Sequence, residues 1–171
     1  MPLRKFAGAF LCLCCLVWPS VLRAQLKTET YCNGRFGYCI GYPPALLKPQ
    51  PEAYNGDGRS FKDARGIERL SVYGMGDWNF SADGETPAPI DTVYRQELQG
   101  GRFPDAKAHR VVTYKALGKT SFVISGTEKG EIFYLKVIKK DDAFCFAYLH
   151  YPADLAKQYN PIAALIAKTF G

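Results

Sequence analysis

Two histidines, His109 and His150, are the only side chains of this 171-residue sequence that change charge near neutral pH without help from their surroundings. Nucleophilic chemistry would need one of them near a carboxylate and a Ser or Cys on a sharp glycine turn. His109 opens a strand-like stretch and His150 closes another beside Tyr151-Pro152, so a solvent-facing or structurally satisfied ring is expected at both. Ser60 and Ser125-Gly126 lack the turn context. Glu128, Glu131, Asp141 and Asp142 fall at turns and strand ends, where solvated charge is the expectation. Zinc needs three or four converging His, Cys or carboxylate ligands, and the inventory barely supplies them. No glycine-rich loop joins a strand to a helix in the way that cradles phosphate. Asn55-Gly56-Asp57-Gly58 alternates like a calcium loop, but Arg59 stands where another ligand is needed and no Glu follows at the required place. A plain turn is expected there. The sequence therefore assigns no catalytic residue, no metal and no cofactor. The enzyme alternative requires His109 or His150 to converge with carboxylates in a pocket.

The first residues read as an export leader. Arg4 and Lys5 precede a thirteen-residue apolar run, Phe6–Trp18, and a short polar exit, Pro19–Ala24. A membrane span needs roughly 20 apolar residues, so this run reads as a signal-peptide core with cleavage after Ala24. Cys12, Cys14 and Cys15 leave with it. No integral span is expected in the remaining 25–171, which is long enough for one domain with a full apolar core. Losing Arg4, Lys5 and Arg23 lowers the formal charge from +6 to +3. No run of Lys and Arg builds a stripe for nucleic acid. Cys32, Cys39 and Cys145 remain, an odd number that allows one internal bridge. Export favours oxidation, and the spacing of Cys32 and Cys39 closes a small loop. That leaves Cys145 as a buried thiol among apolar neighbours.

The elements follow from periodicity. Ser121–Thr127, Glu131–Lys139 and Ala143–Tyr151 read as successive strands joined at Lys129-Gly130 and Lys140-Asp141-Asp142. The last two are apolar on alternate positions of both faces, so both faces need cover. Phe36, Tyr38, Ile40 and Tyr42 alternate in an early strand after a frayed leader over residues 25–30. Arg59–Lys62 and Ile67–Met75 form a less apolar hairpin, expected near a sheet edge. Another strand is read over Ala108–Leu117. Asp91 is expected to cap a helix over Asp91–Gln99, with Arg95, Glu97 and Gln99 outward and Gly100-Gly101 as the stop. Asn160 is expected to cap a terminal helix with Pro161 at its first position and Ile162, Leu165, Ile166 and Phe170 inward. The fold class is α+β, a central antiparallel sheet flanked by a helix on each face.

The early strand ending in YPP, the polar loop into a hairpin and the mid-chain helix together resemble the Mog1/PsbP-like superfamily. The closing GTEKGEIFYLKVIKKDDAFCFAYLHYPADLAKQYNPIAALIAKTF carries the most specific part of that likeness. The resemblance implies an accessory or binding protein, since members include a photosystem II extrinsic subunit, a nuclear-transport regulator and small bacterial envelope proteins. It carries over no site residue, and the cysteine-closed loop departs from it. The resulting expectation is a non-enzymatic periplasmic or secreted domain of bacterial origin that binds an envelope or secreted protein. An immunity or inhibitor protein against an exported toxin is a specialised alternative. Contact surface is expected in two loops, through Asn55, Asp57 and Arg59 in one and Trp78 in the other, because Trp and Arg dominate binding hot spots. Asn79-Phe80-Ser81 is a glycosylation acceptor only in a eukaryotic source. N-terminal sequencing of the exported chain should start at Gln25; a product that retains residues 1–24 would remove the cleaved-leader reading.

Overall fold

The computed structural model describes residues 27–101 and 110–171. The leader, its three cysteines, the cleavage site and His109 lie outside the described residues. Among the described residues nine strands run in chain order: β1 Glu29–Cys32, β2 Cys39–Tyr42, β3 Lys48–Pro49, β4 Gly58–Lys62, β5 Glu68–Gly76, β6 Arg110–Leu117, β7 Ser121–Glu128, β8 Glu131–Lys140 and β9 Ala143–Tyr151. Helix α1 is Ile90–Leu98 and helix α2 is Ala156–Thr169. Strands β3 to β9 form one antiparallel sheet in the order β3-β4-β5-β9-β8-β7-β6. Strands β1 and β2 pair separately, with Cys32 opposite Cys39. Those two cysteines are disulfide-bonded, their Cα atoms 4.1 Å apart.

β9 sits mid-sheet because it can be buried on both sides. Phe144 and Phe146 enter the core on one face, and Cys145, Ala147, Leu149 and Tyr151 enter the core on the other. The β7–β8 turn has Lys129 and Gly130 both at positive φ, the two-residue hairpin whose twist matches that of its strands. Helix α2 covers the Cys145 face with Tyr159, Ile162 and Ile166, joined there by Tyr38, Ile40 and Tyr42. Tyr38, Ile40 and Tyr42 of the aromatic stripe are therefore core, whereas the strand starts only at Cys39 and Phe36 stands half-buried in the turn before it. Helix α1 lies over the opposite face, where Val93 is buried and Tyr94 meets Phe122 edge-on at 5.3 Å.

Four expectations need correction, and one about the β4–β5 hairpin holds. The frayed leader is partly strand, since Glu29 and Thr30 pair with Tyr42 and Gly41. The β4–β5 hairpin does lie toward one edge of the sheet, with only the two-residue β3 outside β4. The polar Ser71 of β5 faces an opening on the α1 side. Helix α1 begins one residue earlier than expected with Pro89 at the cap position, and Asp91 instead pairs with Arg95 one turn on. Glu97 is buried, not outward. Helix α2 begins at Ala156, one short turn after Pro152, and carries Pro161 inside it. Pro161 and Lys157 are both exposed, so the carbonyl deprived of its helical partner faces water. Asn160 spends its side chain accepting a 2.7 Å hydrogen bond from the Tyr151 hydroxyl.

Cys145 is fully buried between Gly74 and Ile138, and burial pushes its thiol up to about 11. Alkylation of the native chain should modify no cysteine, and unfolding without reductant should expose Cys145 alone. A reactive Cys145 in the native state would mean that β9 is not packed as described.

Candidate functional site

The charged residues at one end of the sheet are not solvated, as expected from sequence, but joined in two linked networks. Arg110, at the start of β6, meets the Glu128 carboxylate with both Nε at 3.2 Å and Nη2 at 3.1 Å, a bidentate fit. Its Nη1 reaches the Glu97 backbone carbonyl at 2.8 Å and the Glu97 carboxylate at 3.4 Å. The Tyr148 hydroxyl donates to the same Glu128 oxygen as Nη2. The Arg110 guanidinium also lies 4.8 Å from the centre of the Phe133 ring. Burial disfavours the Arg110 charge, yet Glu128 and Glu97 outweigh it and hold the group above its ordinary value. Burial and then the Glu128 hydrogen bond push the Tyr148 hydroxyl well up, so it stays a donor.

The second network centres on Glu131. His150 Nδ1 lies 2.6 Å from one of its oxygens, and Arg69 Nη1 lies 2.9 Å from the other. Arg69, only 2% exposed, also donates through Nε to Asp63 at 3.1 Å. Asp63 in turn accepts from the backbone N–H groups of Arg65 and Ile67, which closes the β4–β5 turn. Burial raises the Glu131 carboxyl, but the bonds from His150 and Arg69 win and hold it below its usual range. For Asp63 burial is likewise outweighed by the Ile67 N–H and by Arg69. The rings of Tyr148 and His150 stack at 5.5 Å and join the two networks.

Both networks border a cavity of about 540 Å³ on the α1 face. Its origin is a mismatch in width. Seven strands spaced about 4.8 Å apart span roughly 29 Å, whereas a helix is only about 10–12 Å across. α1 packs mainly on β6 and β7, and among the described residues no other α-helix packs on the β5–β9–β8 side of that face. Tyr73, Met75, Phe80, Leu135 and Phe146 line that space. Tyr73 stacks on Phe146 at 4.9 Å and 10°, and Phe80 stacks on Phe146 at 5.7 Å.

None of the four residues expected to bind a partner lines this cavity. Asn55 donates to the Asp57 carboxylate at 2.7 Å, and the Asp57 carbonyl accepts from the Gly74 N–H. Arg59 stacks 4.2 Å over Tyr31. Trp78 lies across Gly76, where a Cβ would come within 2.3 Å of its ring, and Phe36 lies across Gly74 in the same way. The two glycines thus clear one face of β5 for two aromatic rings. Asn33 secures the neighbouring loop, bonding Glu52 and the Gly56 carbonyl, while Arg35 reaches the Asn55 carbonyl at 2.6 Å. Tyr54 is fully exposed and Trp78 is 44% exposed. Sequence reasoning named Phe36, Glu128, Glu131 and His150 and the loop that begins at Tyr54, but missed Tyr54 as a contact residue and the buried Arg69 and Arg110 that join the carboxylates into networks. The only advance signal for the networks was Arg, Glu and His repeating at strand ends.

The overall arrangement matches that of a cyanobacterial PsbP, CyanoP from Synechocystis sp. PCC 6803, with a TM-score of 0.56 over 91% of this chain and 98% of that one. The fold is Mog1/PsbP-like. Identity is 13%, so the match speaks for architecture alone. No protein-family model matches the chain, and no curated protein does. Among the described residues, no helix is long and apolar enough to cross a membrane, and no group of three or more His, Cys, Asp and Glu could hold a metal ion.

Removing Arg69 would strand two carboxylates, one of them buried, so Arg69→Met should cost about 3–5 kcal/mol at pH 7. Asp63 and Glu131 have folded pKa values below their unfolded ones. Their stabilisation is complete above the unfolded carboxylate range and is lost as pH falls through the lowered folded values. Urea titrations from pH 7 to pH 2 should show the wild-type advantage over Arg69→Met shrinking below about pH 4. A constant difference across that range would mean that the loss comes from packing.

Proposed function

We propose that this protein is an exported accessory domain that binds a protein partner through the loops beside the C-terminal end of β5. The observation that carries this reading is the pairing of exposed aromatics with a rigid support. Tyr54 and Trp78 present open ring surface, and the backbone beneath them is fixed by Asn33, Arg35 and the Gly74–Asp57 hydrogen bond. Side chains of that kind bring large contact area at low entropic cost, which is what binding hot spots need. Asn55 and Asp57 supply a polar rim beside them. Arg59 supports the surface from beneath through its stack on Tyr31. Export rests on the N-terminal leader and agrees with the Cys32–Cys39 bridge, which an oxidising compartment preserves.

One observation favours a second reading, acid–base chemistry. His150 meets Glu131 at the wall of the cavity, the convergence that an enzyme requires. Against it stands the commitment of the neighbouring groups. Arg110 is held by Glu128 and Glu97, and the Ser71 hydroxyl by Glu68. His150→Ala separates the two. Under the binding reading it leaves both partner capture and biological activity intact; a folded variant that captures its partner but has lost activity supports chemistry.

Affinity capture of the tagged mature chain from its own envelope extract, read by mass spectrometry, identifies the partner. Trp78→Ala and Tyr54→Ala should each weaken that capture by about 2 kcal/mol. Trp78 is half open, so its loss should cost less stability than the about 3–5 kcal/mol of a fully buried ring. Undiminished capture by both variants would exclude this surface.

A further inference from the structure

We infer that the Cys32–Cys39 bridge is a redox latch for the partner surface, opened by exchange with a dithiol protein of the Cys-x-x-Cys kind. This rests on the binding reading above and adds its regulation. Three observations support it. The first is access. In β1 only Tyr31 is buried; Cys32 points the other way and is exposed, while Cys39 is half-buried. Exposed disulfides are the ones that exchange readily. The second is the surroundings. Arg35 is exposed within the loop, and the Lys140 ammonium donates to the Gly37 carbonyl. These two cations favour the thiolates through which exchange proceeds.

The third is what the loop holds. The bridge closes the β1–β2 pairing, and beyond it Asn33-Gly34-Arg35-Phe36-Gly37 turns the chain back. From this turn Asn33 bonds Glu52 at 2.9 Å and the Gly56 carbonyl at 3.0 Å, Arg35 bonds the Asn55 carbonyl, and Phe36 covers Gly74. The segment that presents Tyr54, Asn55 and Asp57 is thus held from a loop whose ends the disulfide joins. Tyr31, Tyr38, Ile40 and Tyr42 are buried at the base of the hairpin, so the base stays packed without the bridge. Gly34 and Gly37 regain the most freedom when it opens. In the exchange a thiolate of the reductant attacks Cys32 Sγ and forms a mixed disulfide. The Cys32–Cys39 bond breaks, and its electron pair stays on the Cys39 sulfur, which takes up a proton. The second thiol of the reductant then attacks its partner sulfur in the mixed disulfide and releases Cys32, which is protonated in turn. Two electrons and two protons pass to the protein, and the reductant is left as a disulfide. In an oxidising compartment the latch rests closed.

The test uses the oxidised mature chain and a thioredoxin whose second active-site cysteine is replaced by Ser, which stalls exchange at the mixed disulfide. Peptide mapping should find it joined to Cys32 without denaturant. No adduct on the native chain, or one on another cysteine, would overturn the inference. Hydrogen exchange then compares the oxidised chain, the chain reduced with dithiothreitol, and Cys32→Ser/Cys39→Ser. Reduction and the double substitution should each speed exchange of the Gly37, Ala53 and Gly56 amides by about tenfold or more and leave β8 and β9 unchanged. Unchanged loop exchange overturns the latch, and so does acceleration through the whole sheet, which would make the bridge a staple of the fold. Asn33→Ala should loosen Ala53 and Gly56 with the bridge intact; if it does not, the loop is not their support. None of these measurements uses the partner. Failure of the binding reading shows separately, as capture that Tyr54→Ala and Trp78→Ala do not weaken. Where those variants do weaken it, the reduced chain should capture about tenfold less than the oxidised one; equal capture overturns the latch.

Discussion

A seven-stranded sheet cannot be covered by one nine-residue helix, and this mismatch shapes the protein. On one face the deficit is met by pooling elements. Helix α2, the β1–β2 hairpin and the Leu47 segment together cover the surface from Phe61 to Tyr151, and the resulting core is continuous. On the other face, among the described residues, α1 is joined by the Asp77–Phe80 turn and the Ala88 segment, which pack with Phe144, Phe146 and Val137. The opposite end borders the cavity. The buried polar residues that border it, Glu97, Arg110 and Glu128, would be costly in a dry core, and they are paired with one another.

That pairing explains why Arg69 and Arg110 can be almost wholly buried. Each guanidinium is engaged by two carboxylate residues, and each sits where two or more strands converge. Arg110 ties the edge strand β6 to α1 and to β7, whereas Arg69 ties the β4–β5 turn to β8. Breaking a buried pair of this kind is far more costly than the net stabilisation it confers. The networks therefore act mainly as registration devices. They fix how β5 and β6, which are distant in the sheet, end at the same level around the cavity.

Much of the fold was legible because the governing residues were local. The Lys129-Gly130 turn, the two-faced apolar strands β8 and β9 and the aromatic alternation from Phe36 to Tyr42 each declare themselves within ten residues. The errors came where local and tertiary signals competed. Asn160-Pro161 looks like a helix start, but Tyr151 claims the Asn160 side chain and packing of Tyr159 extends the helix backwards. The polarity of Ser71 and Arg69, which sequence alone could only ascribe to a place toward the sheet edge, reflects the cavity and the Asp63–Glu131 clamp.

The sequence by itself determined the two-faced sheet, the helix on each side, the Cys32–Cys39 loop and the burial of Cys145, because hydrophobic period and spacing act along a few residues of chain. Only the tertiary structure decided which charges are solvated and which are locked. Glu97, Arg110, Glu128 and Tyr148 come from four separate elements, as do Asp63, Arg69, Glu131 and His150 once the β4–β5 turn is counted apart from β5. A carboxylate at a strand end reads the same in sequence whether it faces water or an arginine from a strand far along the chain. Its neighbour is set by strand order and register, and those emerge only when the whole sheet assembles.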